Sequence, residues 1–90
     1  MINVQVLLFG KPRELAGVSE ESIELSDGAS LAVLFVALGA RHGPQLGSEL
    51  ASPERFMILV NGRHHNSLEG MRTSLADADV VAVLPAVIGG

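Results

Sequence analysis

The residues of this chain that could do chemistry begin with its last two. The sequence ends Ala86-Val87-Ile88-Gly89-Gly90, directly after the apolar run Val80 to Leu84. Two terminal glycines present an α-carboxylate on backbone that lacks Cβ atoms. Such a backbone can thread in extended form where other residues clash. At an average glycine usage of ~7%, a Gly-Gly end arises by chance in roughly 0.5% of chains, and this chain's richness in glycine about doubles that. Most termini are frayed and have no role. Here the glycines follow Ala86, Val87 and Ile88, an apolar stretch where solvated tails are normally polar. Both features fit a tail that inserts into another protein.

Other candidates carry less. His64-His65 lacks a third ligand at useful spacing, and neighbours on a strand point opposite ways, so the pair reads as an exposed turn and not as a metal site. Asp77 and Asp79 read as solvated turn acids rather than a catalytic carboxylate pair. Gly10-Lys11 lacks the glycine spacing and the Ser/Thr of a phosphate loop. Arg13 and Arg41 read as surface charge. There is no cysteine, which excludes disulfides, thiolate zinc sites and cysteine nucleophiles.

Composition narrows the partners. Ninety residues make one small domain, and 48% hydrophobic content is too high for a disordered tail. Without covalent staples it must rest on packing or on a partner. The net charge of −4 argues against nucleic acid and against a polybasic membrane anchor. No apolar run reaches the ~20 residues of a membrane span, and Met1 to Gln5 carries no basic signal region. The expected location is cytoplasmic.

The elements that would position the tail follow from periodicity. Ile2, Val4, Val6 and Leu8 alternate and share one strand face, with Asn3, Gln5, Leu7 and Phe9 on the other. Arg13 to Gly17 suits a loop or one helical turn. Ile23 and Leu25 mark a second strand, closed by Asp27-Gly28. Ser30 is a candidate N-cap for a helix whose Leu31, Leu34, Phe35 and Leu38 share one face. Val33, Val36 and Ala37 leave its other side unusually apolar. Arg41 and His42 suit its last turn, and Gly43-Pro44 ends it. Residues 44–55 read as loop. Phe56 to Val60 is a third strand, followed by the hairpin signal Asn61-Gly62 and a short return, Arg63 to His65. Ser67 to Leu75 fits a short helical turn, and Val80 to Leu84 the last strand.

One helix stripe and one sheet face can bury only each other. The first and last strands are the most apolar and belong side by side at the sheet's centre. This predicts an α+β, β-grasp (ubiquitin-like) fold, with a mixed sheet of four to five strands covered by one main helix. It is one domain over 1–90, with a flexible tail over 85–90. With Leu8 and Val83 pointing inward, Phe9 and Leu84 point outward on neighbouring strands. They form an apolar patch beside the tail, which Leu59 extends. That patch reads as a docking surface.

A β-grasp order ending in Gly-Gly resembles the MoaD/ThiS family of ubiquitin-like sulfur carriers. Val6-Leu7-Leu8-Phe9 with Arg13-Glu14-Leu15-Ala16-Gly17 is similar to the opening of the molybdopterin synthase small subunits in that family. Leu59-Val60-Asn61-Gly62 is similar to their third strand and turn, and the segment from Asp77 to Pro85 to their closing strand. The chain departs from the pattern at Ala86, where a second proline is common, and at Ile88, where a small residue is usual.

The resemblance implies the following chemistry. The Gly90 carboxylate attacks the α-phosphate of ATP inside an adenylating enzyme of the MoeB/ThiF type, which is E1-like and uses Mg. Sulfur from a donor protein then displaces AMP and leaves a thiocarboxylate on Gly90. A large subunit of the MoaE type would receive the tail, threaded through Val87, Ile88 and Gly89, and use the sulfur for molybdopterin. The carrier would bind no cofactor itself and hold no active site, so it would not be an enzyme. Phe9, Leu84 and Leu59 would contact partners. The same tail also suits a protein modifier joined through Gly90, or sulfur supply to cysteine, thiamine or tungsten-cofactor synthesis.

Overall fold

The computed structural model describes residues 1–86. Val87, Ile88, Gly89 and Gly90 lie outside the described residues. The chain runs β1 (Ile2–Leu8), α1 (Lys11–Ala16), β2 (Glu20–Leu25), α2 (Leu31–His42), α3 (Pro44–Leu50), β3 (Phe56–Val60), β4 (Arg63–His64) and β5 (Val80–Pro85). The sheet order is β2-β1-β5-β3-β4. β1 and β5 pair in parallel, and every other pair is antiparallel. The two most apolar strands are therefore neighbours, and β5 lies at the centre.

The core lies between one sheet face and α2. Alternation in β1 buries Ile2, Val4, Val6 and Leu8, and β5 contributes Val81 and Val83. The stripe Leu31, Leu34, Phe35 and Leu38 buries the facing side of α2. Ser30 caps that helix, its Oγ accepting from the Val33 N–H at 3.3 Å. Asn61 (φ 52) and Gly62 (φ 82) both take positive φ, as a tight hairpin between β3 and β4 requires.

Residues 44–55 are not loop. They form α3 and a 3₁₀ turn at Pro53–Arg55. Pro44 stands at the helix start, where its missing N–H costs nothing. Leu46 and Leu50, one turn apart, are both buried. So α2 shares the core with a second helix. The two approach closely: a Cβ added at Gly39 would lie 2.9 Å from the Gly47 Cα. A Gly39→Ala substitution is therefore expected to destabilise by about 1–3 kcal/mol through overpacking. A Cβ at Gly47 meets the Gly39 Cα at an ordinary 3.6 Å. Gly47→Ala is expected to be neutral or to stabilise by up to about 1 kcal/mol through helix propensity. Thermal melts of the two variants should move apart, and equal destabilisation would contradict this packing.

Pro85 closes β5, paired with Phe56, rather than opening the tail. The Ala86 N–H donates to the Arg55 carbonyl at 3.3 Å. Gly10 is held against this strand end, since a Cβ there would lie 2.7 Å from the Pro85 ring.

Candidate functional site

The sheet face away from α2 carries the candidate docking surface. Leu8 and Val83 are fully buried and directly paired, so their neighbours project the other way. Phe9 is 39% exposed, and its N–H donates to the Val83 carbonyl at 3.2 Å. Leu84 and Leu59 are half-buried on the same side. The register places Met57 opposite Leu84, and Ala82 between Leu7 and Leu59. The structure thus brings Phe9, Leu84 and Leu59 onto one face, next to the strand end from which the tail continues. It adds Leu7 and Met57, which the sequence reading did not select. Their signal was present: they occupy the off-core positions of β1 and β3.

Beside this face a groove of about 530 Å³ is lined by Met57, His64, His65, Met71 and Ala86 among others. His64 and His65 do not diverge as strand neighbours would. β4 ends at His64, and His65 begins a 3₁₀ turn. Their rings stack with centroids 5.0 Å apart at 25°. His65 is not an exposed turn residue but only 5% exposed, and its Nδ1 has no hydrogen-bond partner among the described residues. His64 Nδ1 accepts from the Asn66 N–H at 3.1 Å. Among the described residues no group of three or more His, Cys, Asp or Glu side chains could hold a metal ion.

Burial pushes the His65 pKa down from 6.5, the neighbouring His64 adds to this, and contact with the Ile58 backbone opposes it. The folded value lies below the unfolded one, so as pH falls through 6.5 the unfolded chain takes up the proton first. The His65 contribution to stability is therefore expected to decline below that pH, by at most about 1.4 kcal/mol per pH unit. Urea unfolding across this range checks it. His65→Leu should flatten the profile, and an unchanged slope would contradict the assignment.

The remaining polar candidates are structural. Asp77 Oδ1 accepts from the Asn3 N–H at 2.8 Å, and Asp79 Oδ1 from Asn61 Nδ2 at 2.9 Å. These clasps fix the turn before β5 against β1 and the β3–β4 hairpin. Arg41 is not simple surface charge. Its Nε lies 3.2 Å from Glu21, which also meets His42 Nε2 at 2.5 Å, and the cluster ties the end of α2 to β2.

The ThiS family model matches residues 6–90. The chain belongs to the ThiS family. The molybdopterin synthase sulfur carrier subunit of Chlamydomonas reinhardtii is 34% identical over 89 residues, covering 99% of this chain and 100% of that protein. Small archaeal modifier protein 3 of Haloferax volcanii is 29% identical over 92 residues, covering 99% and 100%. The solution structure of small archaeal modifier protein 1 from Methanosarcina acetivorans superposes with a TM-score of 0.79 at 31% identity, covering 100% of this chain and 98% of that one. The fold of this ThiS-family protein is the ubiquitin-like β-grasp, and it is a small carrier domain of the MoaD/ThiS kind. No helix among the described residues is long and apolar enough to cross a membrane.

Proposed function

We propose that this protein is the sulfur-carrying small subunit of a molybdopterin synthase, with Gly90 as the reacting residue. The observation that carries the reading is the match to the Chlamydomonas carrier subunit along the full length of both chains. The family match running to residue 90 and the apolar face beside the end of β5 support it.

The Gly90 carboxylate is adenylated by an E1-like partner, with ATP and Mg held by that partner. The adenylate turns a poor leaving group into AMP, and sulfur from a donor protein replaces it. The large synthase subunit then receives the tail, with Val87, Ile88 and Gly89 threaded through its channel. Phe9, Leu84 and Leu59 provide the apolar contact that holds each partner in turn. The carrier supplies the sulfur and the partner supplies the acids and bases, so the protein is not itself an enzyme.

A second reading is conjugation of Gly90 to a target lysine, favoured by the likeness to the archaeal modifier proteins. Both readings share adenylation and part at the product. Intact mass after incubation with ATP, the activating enzyme and a sulfur donor tests the first. Exchange of one oxygen for one sulfur is the expected result. An unchanged mass with a competent activating enzyme overturns it, and higher-mass ladders in cells would favour the modifier.

A further inference from the structure

β2 is an edge of the sheet and pairs with β1 alone. The Leu8 N–H donates to the Ser19 carbonyl, while the Gln5 and Phe9 N–H groups donate on the β5 side, to Asp79 and Val83. Hydrogen bonds alternate in direction along an antiparallel strand. In this register Ser19, Glu21, Ile23 and Leu25 therefore bond β1, and the N–H and C=O groups of Glu20, Ser22 and Glu24 point off the sheet. Those three residues are exposed. No loop or turn hydrogen bond among the described residues takes their backbone groups. Natural edges are commonly very short, bulged or broken by proline. The other edge, β4, has two residues. β2 has six, without proline and in unbroken register with β1. Its exposed side chains share one sign. Glu20 and Glu24 stand either side of Ser22, and neither has an ion-pair partner among the described residues. Glu21, on the alternate face, is the one held by Arg41 and His42.

We propose that the free edge of β2 takes up an extended basic segment of another protein as a sixth, antiparallel strand, with Lys or Arg opposite Glu20 and Glu24. The backbone sets the shape of this occupant. Donors and acceptors on alternate residues of a straight edge are matched by another extended chain, which is recognition by strand addition. The charges set its composition. Directly opposed side chains on neighbouring strands interact, favourably when opposite in sign and unfavourably when alike. A second copy fails this test: the two-fold antiparallel pairing that uses all the free groups sets Glu20 of each copy against Glu24 of the other. A neutral strand leaves both carboxylates without a counter-charge. A basic strand with its cations four positions apart pairs both at once, and a small residue between them faces Ser22. Leu7 is the cross-strand neighbour of Glu20, so the added strand continues the sheet beside the apolar face and does not cover it. The inference does not rest on the sulfur-carrier reading.

The probe is the capped peptide Val-Lys-Val-Thr-Val-Lys-Val, added to the full chain at about 1 mM and low salt, with amide hydrogen exchange read residue by residue. The amides of Glu20, Ser22 and Glu24 are expected to slow at least about tenfold, while those of Glu21 and Ile23, already bonded to β1, change little. Replacing both peptide lysines by glutamate should weaken binding at least about tenfold. N-methylation of the two lysines and the threonine, whose amides face β2, should abolish it. N-methylation of the two inner valines, whose amides face away, should not. In the chain carrying both Glu20→Lys and Glu24→Lys the preference should reverse to the glutamate peptide, with an unchanged melt because both side chains are exposed. No slowing at the three amides overturns the proposal. So does equal binding of the lysine and glutamate peptides, or binding that survives methylation of the facing amides, which would leave charge attraction without strand addition. Protection of the same amides that grows with protein concentration in the absence of peptide would assign the edge to a second copy and overturn it too.

Discussion

Deletion of Gly90 is expected to abolish the oxygen-for-sulfur exchange completely while leaving the melting temperature unchanged. The two halves of this expectation have separate causes. The exchange needs an α-carboxylate at the end of a backbone slender enough to reach the adenylating centre. With Gly90 gone, the carboxylate falls on Gly89, one residue and ~3.3 Å short. A misplacement of that size defeats reactions that depend on in-line attack. Stability is untouched because the core closes upstream: Val81 and Val83 are buried and Pro85 is still paired with Phe56. Gly90→Ala is a milder probe. It restores the length but adds a Cβ at the reacting end, so a large loss of rate is expected, with residual exchange. The measurement is intact mass over time with the activating enzyme and sulfur donor, beside a thermal melt. Full exchange by the deleted chain would remove Gly90 from the reaction, whatever the fold.

That division between tail and body also explains what the sequence made legible. Strand positions were readable because period-two alternation is strict in β1 and β5, and one buried face fixes it. α2 was readable from its stripe, its Ser30 cap and Gly43. α3 was not, because Pro44, Gly47, Ser48 and Pro53 are the residue types that mark turns. Only tertiary contact separates a proline that opens a helix from one that breaks it, and here the contact is Gly47 against Gly39 with Leu46 and Leu50 buried. His65 was misplaced for a related reason. The strand ends one residue earlier than its pattern suggests, and the 3₁₀ turn rotates the ring inward. Arg41 was read as surface charge and is indeed more than half exposed; its pairing with Glu21 was not legible because Glu21 is twenty residues away in sequence and on another element. In the candidate site, Phe9, Leu84 and Leu59 followed from facing rules alone. Leu7 and Met57 stand at off-core positions that the same alternation marks, and the register adds only that they sit beside Ala82 and Leu84.

The second large effect belongs to that sheet face. Leu84→Asp is expected to weaken binding of the activating enzyme by about 30-fold or more, as loss of a central apolar contact costs ~2 kcal/mol or more. Leu84 stands on the central strand with Met57 directly opposite. A carboxylate there would enter the middle of the proposed contact, where burying an unpaired charge is costly. Phe9→Asp should act in the same direction with less force, because Phe9 is 39% exposed at the strand's end and closer to a rim. The side chains point away from α2, so most of the loss should be in affinity and little in folding. Val36→Glu provides the control: it adds the same charge on the opposite side of the domain, and carrier–enzyme affinity should not change. Calorimetric titration of each variant against the activating enzyme, with a melt of each, separates the cases. Equal weakening by Leu84→Asp and Val36→Glu would point to net charge rather than a docking face. Undiminished binding of Leu84→Asp would move the contact elsewhere. A loss specific to Leu84 and Phe9 would tie the apolar face to delivery of the tail: this face adjoins the strand end from which residues 87–90 continue, so docking and threading would then be set by one register, that of β5 between β1 and β3.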